Sequence, residues 1–512
     1  MTARILLVGW DGADRALVEE WVSAGRLPNL ARLRARGRRG EVASLPGLGD
    51  DAAWATFSTT VGPERHGRFW WGRLGADGVD FVAHRRDEFS DAPFWDALVA
   101  AGKRVAVVDV PKSPMGDDRA LVVADWMTHG REQDILRLSP AAAAHPLAPR
   151  FGAAADTDFD CNAFGDGIDD VSRFARECEQ RTEARTDLLC ELLAADDWDL
   201  FATVIAAPHC AGHRAWRDHD PGHPEHDPQR RATVGDVVER SYIAADRALG
   251  RLVAAAGDAA VLCFSPLGMG PEHDGGHLVE EVFRRRVGAA PARPSGALDR
   301  VRHLVPKSLR ARAPRSVVDA GRAVRLRSEA SKPYRVLPVD VSTTALRIAA
   351  ADDHVDARGA RHVPTAARDE VETVLRSLTD PESGRPLVDA VVFTQDFYPG
   401  AVTFADAFVV WDATAPIGAV RIGRAPTDEV VRRDPPPRRS GNHRAGGWYV
   451  AVGPGVAPGA ASGPARIVDL GPTVAAWLGV SLAGSDGRPI AGLTGGVDQG
   501  GVDQDGPATT ST

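Results

Sequence analysis

Lysine is almost missing from this chain: among 61 basic residues only Lys103, Lys112, Lys307 and Lys332 are lysines. With the abundant alanine and glycine, that imbalance matches GC-rich coding and carries no functional reading. Cysteine is sparse as well. Cys161, Cys178, Cys190, Cys210 and Cys263 form no CxxC or zinc-ribbon spacing, so they read as reduced structural thiols rather than a disulfide framework or zinc module. No run of 18 apolar residues occurs, and no membrane-spanning helix is expected. The N-terminus enters a strand-like run at Ile5 without the charged start and long apolar stretch of a signal peptide. The expected location is cytoplasmic, with no membrane partner. A long Lys/Arg block is also lacking, and the net charge is −9, which excludes a nucleic-acid polymer as the general partner.

What is present is ample apolar sequence: 44% of 512 residues are hydrophobic, enough for a large core. The first 115 residues alternate strand-like and helical patterns: RILLVGWDG, LVEEWVSAG, FWDALVAAG and KRVAVVDV. That rhythm predicts a parallel sheet with crossover helices. It returns in DLFATVIAAP, AADRALGRLVAAAG and AAVLCF. From Arg284 to Lys332 the chain turns rich in Arg, Pro and Ala, which marks an insertion. Strand signals resume in STTALRIAA, DAVVFTQDFY and DAFVVWD, and GGWYVAVGPGV with DLGPTVAAWLGV closes the pattern as strand, loop and helix. The predicted organisation is a core over residues 1–285, an inserted cap over 286–387, a second part of the core over 388–490, and a disordered tail over 491–512.

Several residues suit chemistry by position. Asp11 ends the first strand, where open α/β sheets bind ligands, although an Asp-Gly after a strand is also ordinary turn composition. His209 and His213 follow a strand at a spacing of four, so a helical turn points both imidazoles one way. Chance competes, because the chain has 15 histidines. His443 lies in a glycine-rich loop just before a strand, which is equally a place for a surface histidine. His273 and His277 follow the strand AAVLCF as late additions to a site or as loop residues. Trp70, after the ERHG loop, is either packing or the wall of a substrate mouth.

In combination and order, VGWDGAD, GRLPNLARLRARG, AAWATFSTTVGPERHG, APFWDALVAAGKRVAVVDVP, WDLFATVIAAPHCAGHRAW, GMGP, TDPESGRPLVDAV, NHRAGGWYVAVGPG and DLGPTVAAWLGV resemble the bacterial type I phosphodiesterase/nucleotide pyrophosphatase family of the alkaline phosphatase superfamily, from residue 4 to about 490. The resemblance implies a mostly parallel central sheet with helices on both faces and an inserted cap. It also implies two metal ions, commonly zinc, that stabilise an in-line displacement at a phosphate ester by a Thr or Ser nucleophile. Asp11, His213 and His443 match metal ligands of that pattern. Asp50 stands at the nucleophile, His209 at an Asp ligand, and Pro266-Leu267 at an Asp-His pair that serves the same metal as Asp11. One metal site is therefore dismantled, while His209, His213 and His443 with Asp50 form a donor set for one ion, zinc foremost, with iron or manganese as alternatives.

Two expectations follow. In the first, the chain is a divergent metal-dependent hydrolase of a small-molecule phosphate ester or related ester, nucleotide-like esters included, with Asp50 as ligand, general base or nucleophile. In the second, it is a catalytically degenerate pseudoenzyme kept as a binding or partner module.

Overall fold

The computed structural model describes residues 4–74, 81–126, 136–155, 164–286, 334–337, 342–349, 354–356, 359–402, 405–433 and 439–494. Its central feature is a ten-stranded sheet. The order runs Gly459–Ala460, Arg38–Ala43, Gly447–Val452, Ala260–Ser265, Ile5–Trp10, Leu200–Ile205, Val105–Val108, Leu121–Ala124, Arg137–Leu138, with Ala465–Arg466 beside Arg38–Ala43. The five consecutive strands from Ala260–Ser265 to Leu121–Ala124 are parallel. Gly447–Val452 is antiparallel to both of its neighbours.

Burial explains why these segments read as unbroken apolar runs. Every residue of Ile5–Trp10 and of Leu200–Ile205 is buried, as parallel strands covered on both faces must be. Alternation decides the face: Leu6, Val8 and Trp10 join the core under the helices Arg15–Ser23, Ile168–Ala195 and Val237–Ala256. Ile5 and Leu7 join the opposite core, under Asp50–Thr59, Phe94–Ala100 and Leu470–Trp477. The mostly parallel sheet with helices on both faces is thus observed as expected.

A second, antiparallel sheet has the order Tyr334–Leu337, Thr343–Ile348, Ala407–Trp411, Val388–Phe393. One face packs on the helices Gly276–Arg286 and Thr365–Arg376 through Leu278, Val282, Val371, Leu375, Leu346 and Val409. The other covers Phe69 and Trp70 with Ala345, Val392, Tyr398 and Phe408. Here the expected boundary at 388 is corrected: both strands after it, Val388–Phe393 and Ala407–Trp411, pair within this sheet, and the chain rejoins the main sheet at Gly447–Val452. Their alternating pattern suits either sheet, and only long-range pairing assigns them. Residues 287–333 of the predicted cap and 495–512 of the predicted tail lie outside the described residues. Within 491–494, Leu493 is fully buried, so the ordered chain runs slightly past 490.

The helix Asp50–Thr59 is pinned from below. Thr56 Oγ1 lies 2.9 Å from His66 Nε2, and the Arg68 amide donates to His66 Nδ1 at 3.0 Å. A ring nitrogen that accepts from an amide carries no proton, so His66 is neutral. Burial first, then the Arg68 charge, push its pKa down to about 3. His84 is likewise down to about 3, by burial and then Arg68 and Arg73. Both imidazoles regain an ordinary pKa near 6.5 once the chain unfolds, so the unfolded state binds more protons below that pH. Stability is therefore fully present above pH 6.5 and declines as the pH falls toward 3, by about 3 kcal/mol per pH unit for the pair together. Urea unfolding across pH 4 to 7 checks this, and His84→Gln should roughly halve that slope.

Candidate metal centre

The carboxyl ends of the parallel strands meet in one place. Asp11 follows Ile5–Trp10 directly, and Gly12, at φ +61°, makes the turn that a side chain would strain. Leu200–Ile205 leads into the helix Ala207–His219, whose first turns carry His209 and His213. His443 comes from the strand Gly441–Arg444, paired with Gly268–Pro271 so that Met269 lies opposite it. Asp50 is the first residue of the helix Asp50–Thr59, where a carboxylate is favoured by the helix dipole.

His209, His213 and His443 are all buried, and one ligand nitrogen from each lies within 4.8 Å of the other two. Ring centroids are 4.6 Å apart for His209 and His213, 4.8 Å for His209 and His443, and 4.9 Å for His213 and His443. An equilateral triangle of that side has its corners within about 2.8 Å of its centre, against the roughly 2.1 Å of a zinc–imidazole bond. A small inward movement of the rings completes the fit. The outer contacts suit it as well. His213 Nδ1 donates to the Gly441 carbonyl at 2.9 Å, leaving its lone pair on Nε2. His209 Nδ1 lies 3.0 Å from Asp11 Oδ2, the carboxylate–histidine arrangement that orients a ligating ring. His443 Nδ1 is buried without a hydrogen-bond partner.

Burial and charge support neutral rings at His213 and His443. Burial first, then the positive neighbour Arg439, hold His213 well below the ordinary imidazole range. Burial lowers His443 to about 4 against the opposing pull of Asp50. Asp50 Oδ1 is 3.5 Å from His443 Nε2, and its side chain keeps 16% exposure where His443 keeps 4%. Burial alone would raise the Asp50 carboxyl, but His443, His209, Lys112 and Arg439 outweigh it and hold it well below the usual carboxylate range.

Other expected site residues fall elsewhere. Asp11 is beside the cluster but does not join it as a ligand: Oδ2 faces His209, and Oδ1 accepts from Trp54 Nε1 at 2.8 Å. Trp70 is 3% exposed and packs beneath the second sheet, so it lines no substrate mouth; its apolar bulk is spent on joining the two layers. His273 Nδ1 meets the Ala413 carbonyl at 3.2 Å, and His277 Nε2 the Arg433 carbonyl at 3.0 Å; both anchor loops and neither joins the three imidazoles. Leu267, where the family resemblance implies a metal-binding histidine, is buried in the core, and the Ser265 hydroxyl donates to its carbonyl at 2.7 Å.

Three contributors escape sequence reasoning. Trp54 reaches Asp11 because Gly9 lacks a Cβ, which would sit 2.7 Å from the indole. Arg439 Nη1 lies 3.4 Å from His213 Nε2. Lys112 Nζ pairs with Asp51 Oδ1 at 3.1 Å. The AAW element and the RRSGNH stretch were the only signals, and neither encodes a contact. The second sheet also holds the site: Ser342 donates to the His443 carbonyl, Thr343 to the Gly47 carbonyl at 3.1 Å, and Tyr398 to the Pro46 carbonyl at 2.8 Å. Trp54→Phe should cost about 1–3 kcal/mol in urea unfolding, because it strands a buried carboxylate oxygen.

Residues 5–418 match the sequence family described as Type I phosphodiesterase / nucleotide pyrophosphatase. The sequence matches no curated protein. Among solved structures, phosphonoacetate hydrolase from Sinorhizobium meliloti 1021, in complex with phosphonoacetate, is similar over 94% of this chain and 96% of its own, at 14% identity and a TM-score of 0.51. Human ectonucleotide pyrophosphatase/phosphodiesterase 5 is similar over 96% of this chain and 98% of its own, at 12% identity and a TM-score of 0.50. With four-fifths of its length matched, the chain belongs to the type I phosphodiesterase/nucleotide pyrophosphatase family of hydrolases.

Proposed function

We propose that this protein is a divergent metal-dependent hydrolase of a small-molecule phosphate ester or related ester, working with one divalent ion, zinc foremost. The observation that carries the reading is the convergence of three buried imidazoles, His209, His213 and His443, on one point. Neutral nitrogen donors with a carboxylate beside them suit zinc, and iron or manganese less specifically. When bound, such an ion supplies Lewis acidity toward an ester oxygen.

The chain's own residues do the rest. Asp11 orients His209, and the Gly441 carbonyl orients His213. Asp50, held ionised, is a weak proton acceptor at neutral pH and therefore a better fourth ligand than general base. Its exposure marks the side from which substrate arrives. Pro266 and Leu267 leave no ligand for a second ion, and this favours the pseudoenzyme as the competing reading.

Metal analysis of protein purified without chelator should give close to one ion per chain, and His213→Ala with His443→Ala should give none. Aryl phosphodiesters, phosphomonoesters and sulfate esters, each offered with zinc, manganese or iron, should reveal turnover that Asp50→Ala reduces by about two orders of magnitude or more. Full occupancy without turnover on any ester would favour the pseudoenzyme; absence of metal in the unaltered protein would end the single-ion reading.

A further inference from the structure

Beside the three imidazoles the fold packs one apolar side chain that donates nothing to a metal and yet touches every segment that brings a ligand. Met269 stands opposite His443 in the pairing of Gly268–Pro271 with Gly441–Arg444, and it is 1% exposed. Its amide donates to the carboxylate of Asp14, three residues after Asp11. One neighbour of its side chain is Gly12, in the turn after Asp11. A Cβ at that position would lie 3.1 Å from Met269 Cε, 3.3 Å from His209 Cα and 3.4 Å from His443 Cε1. The thioether methyl, the His209 backbone and the edge of the His443 ring therefore border one point. Another neighbour is Gly212, the residue before His213 in the helix Ala207–His219. A Cβ there would sit 2.5 Å from Met269 Cγ, 3.1 Å from Cε and 3.3 Å from Sδ, so the helix and the side chain approach as closely as a close-packed interior allows. The helix carrying His209 and His213 and the strand carrying His443 thus meet at Met269. An unbranched thioether suits such an irregular gap between three segments.

We propose that Met269 is a positioning residue of the metal centre, the spacer that fixes how closely the segments carrying His209, His213 and His443 approach one another. This rests on the single-ion reading above. Truncation at Met269 leaves a void beside the rings, so the donor geometry is no longer preformed and the ion must order it on binding. The role needs the volume of the side chain rather than the lone pairs of sulfur, and leucine, which nearly conserves that volume, should replace methionine.

The test measures zinc affinity by competition with a chelating dye, together with the visible absorption of the cobalt-substituted protein, whose bands report ligand geometry. Met269→Ala should weaken zinc binding about tenfold or more and alter the cobalt bands, while Met269→Leu should stay within about threefold of the unaltered protein. Gly212→Ala should also weaken zinc binding, because its new Cβ meets Met269. Combining Gly212→Ala with Met269→Ala should cost less than the product of the two single losses, an interaction that independent defects would not show. Should Met269→Ala fail to fold, as far-ultraviolet circular dichroism would reveal, Met269→Val carries the same expectations. Unchanged zinc affinity and cobalt bands in the truncated variant, or single losses that simply multiply in the double variant, would overturn the assignment. If the unaltered protein binds neither ion, the single-ion reading fails by itself. The metal-free protein then decides the positioning role: truncation at Met269 should shift the ring Cε1–H NMR signals of His209 and His443, and unmoved signals would overturn it.

Discussion

A carboxylate removed from water costs several kcal/mol unless donors replace the lost solvent, and Asp11 sits 5% exposed at the end of a central strand. Much of the site follows from meeting that cost. The Trp54 indole covers one oxygen and His209 faces the other. Gly9 has no side chain so that the indole can lie across the strand, and the helix Asp50–Thr59 is placed by the indole it carries. The same contact fixes the His209 ring, and with it the geometry that His213 and His443 complete. A structural requirement and a ligand arrangement are thereby one set of bonds.

The parts of this arrangement that were legible in the sequence are those with short-range causes. ILLVGW reads as a buried parallel strand because all six residues are apolar or glycine, and His209 with His213 reads as a pair because one helical turn brings them together. His443 was legible through its place in the NHRAGGWYV element. Asp11 was read correctly as a strand-end carboxylate but not as the partner of His209, since substitution of histidine at position 209 changes what the carboxylate faces. Trp70, His273 and His277 stood between two readings in the sequence because an aromatic or imidazole after a loop has the same local pattern whether it packs, anchors a carbonyl or lines a cavity. Arg439 looked like one more arginine in PPPRRSGNH; its place beside His213 depends on the Ser440 bonds to a helix more than 220 residues earlier.

The second sheet shows the same limit on a larger scale. Its strands are largely buried on both faces, yet Thr343, Ser342 and Tyr398 reach the loop before Asp50 and the carbonyl of His443. Part of the segment that reads as an inserted cap in sequence, with Tyr398 beyond it, therefore braces two members of the site.

The hydrogen bond from His213 to Gly441 spans 228 residues of chain. During synthesis the first two imidazoles leave the ribosome long before the third, and a two-histidine fragment on an unfinished sheet is a weak trap for metal. The three imidazoles meet only when the strand Gly447–Val452 lies between Arg38–Ala43 and Ala260–Ser265, with Gly441 and His443 just ahead of it in the chain. A chain cut between His213 and His443 keeps two of the three histidines and lacks the third.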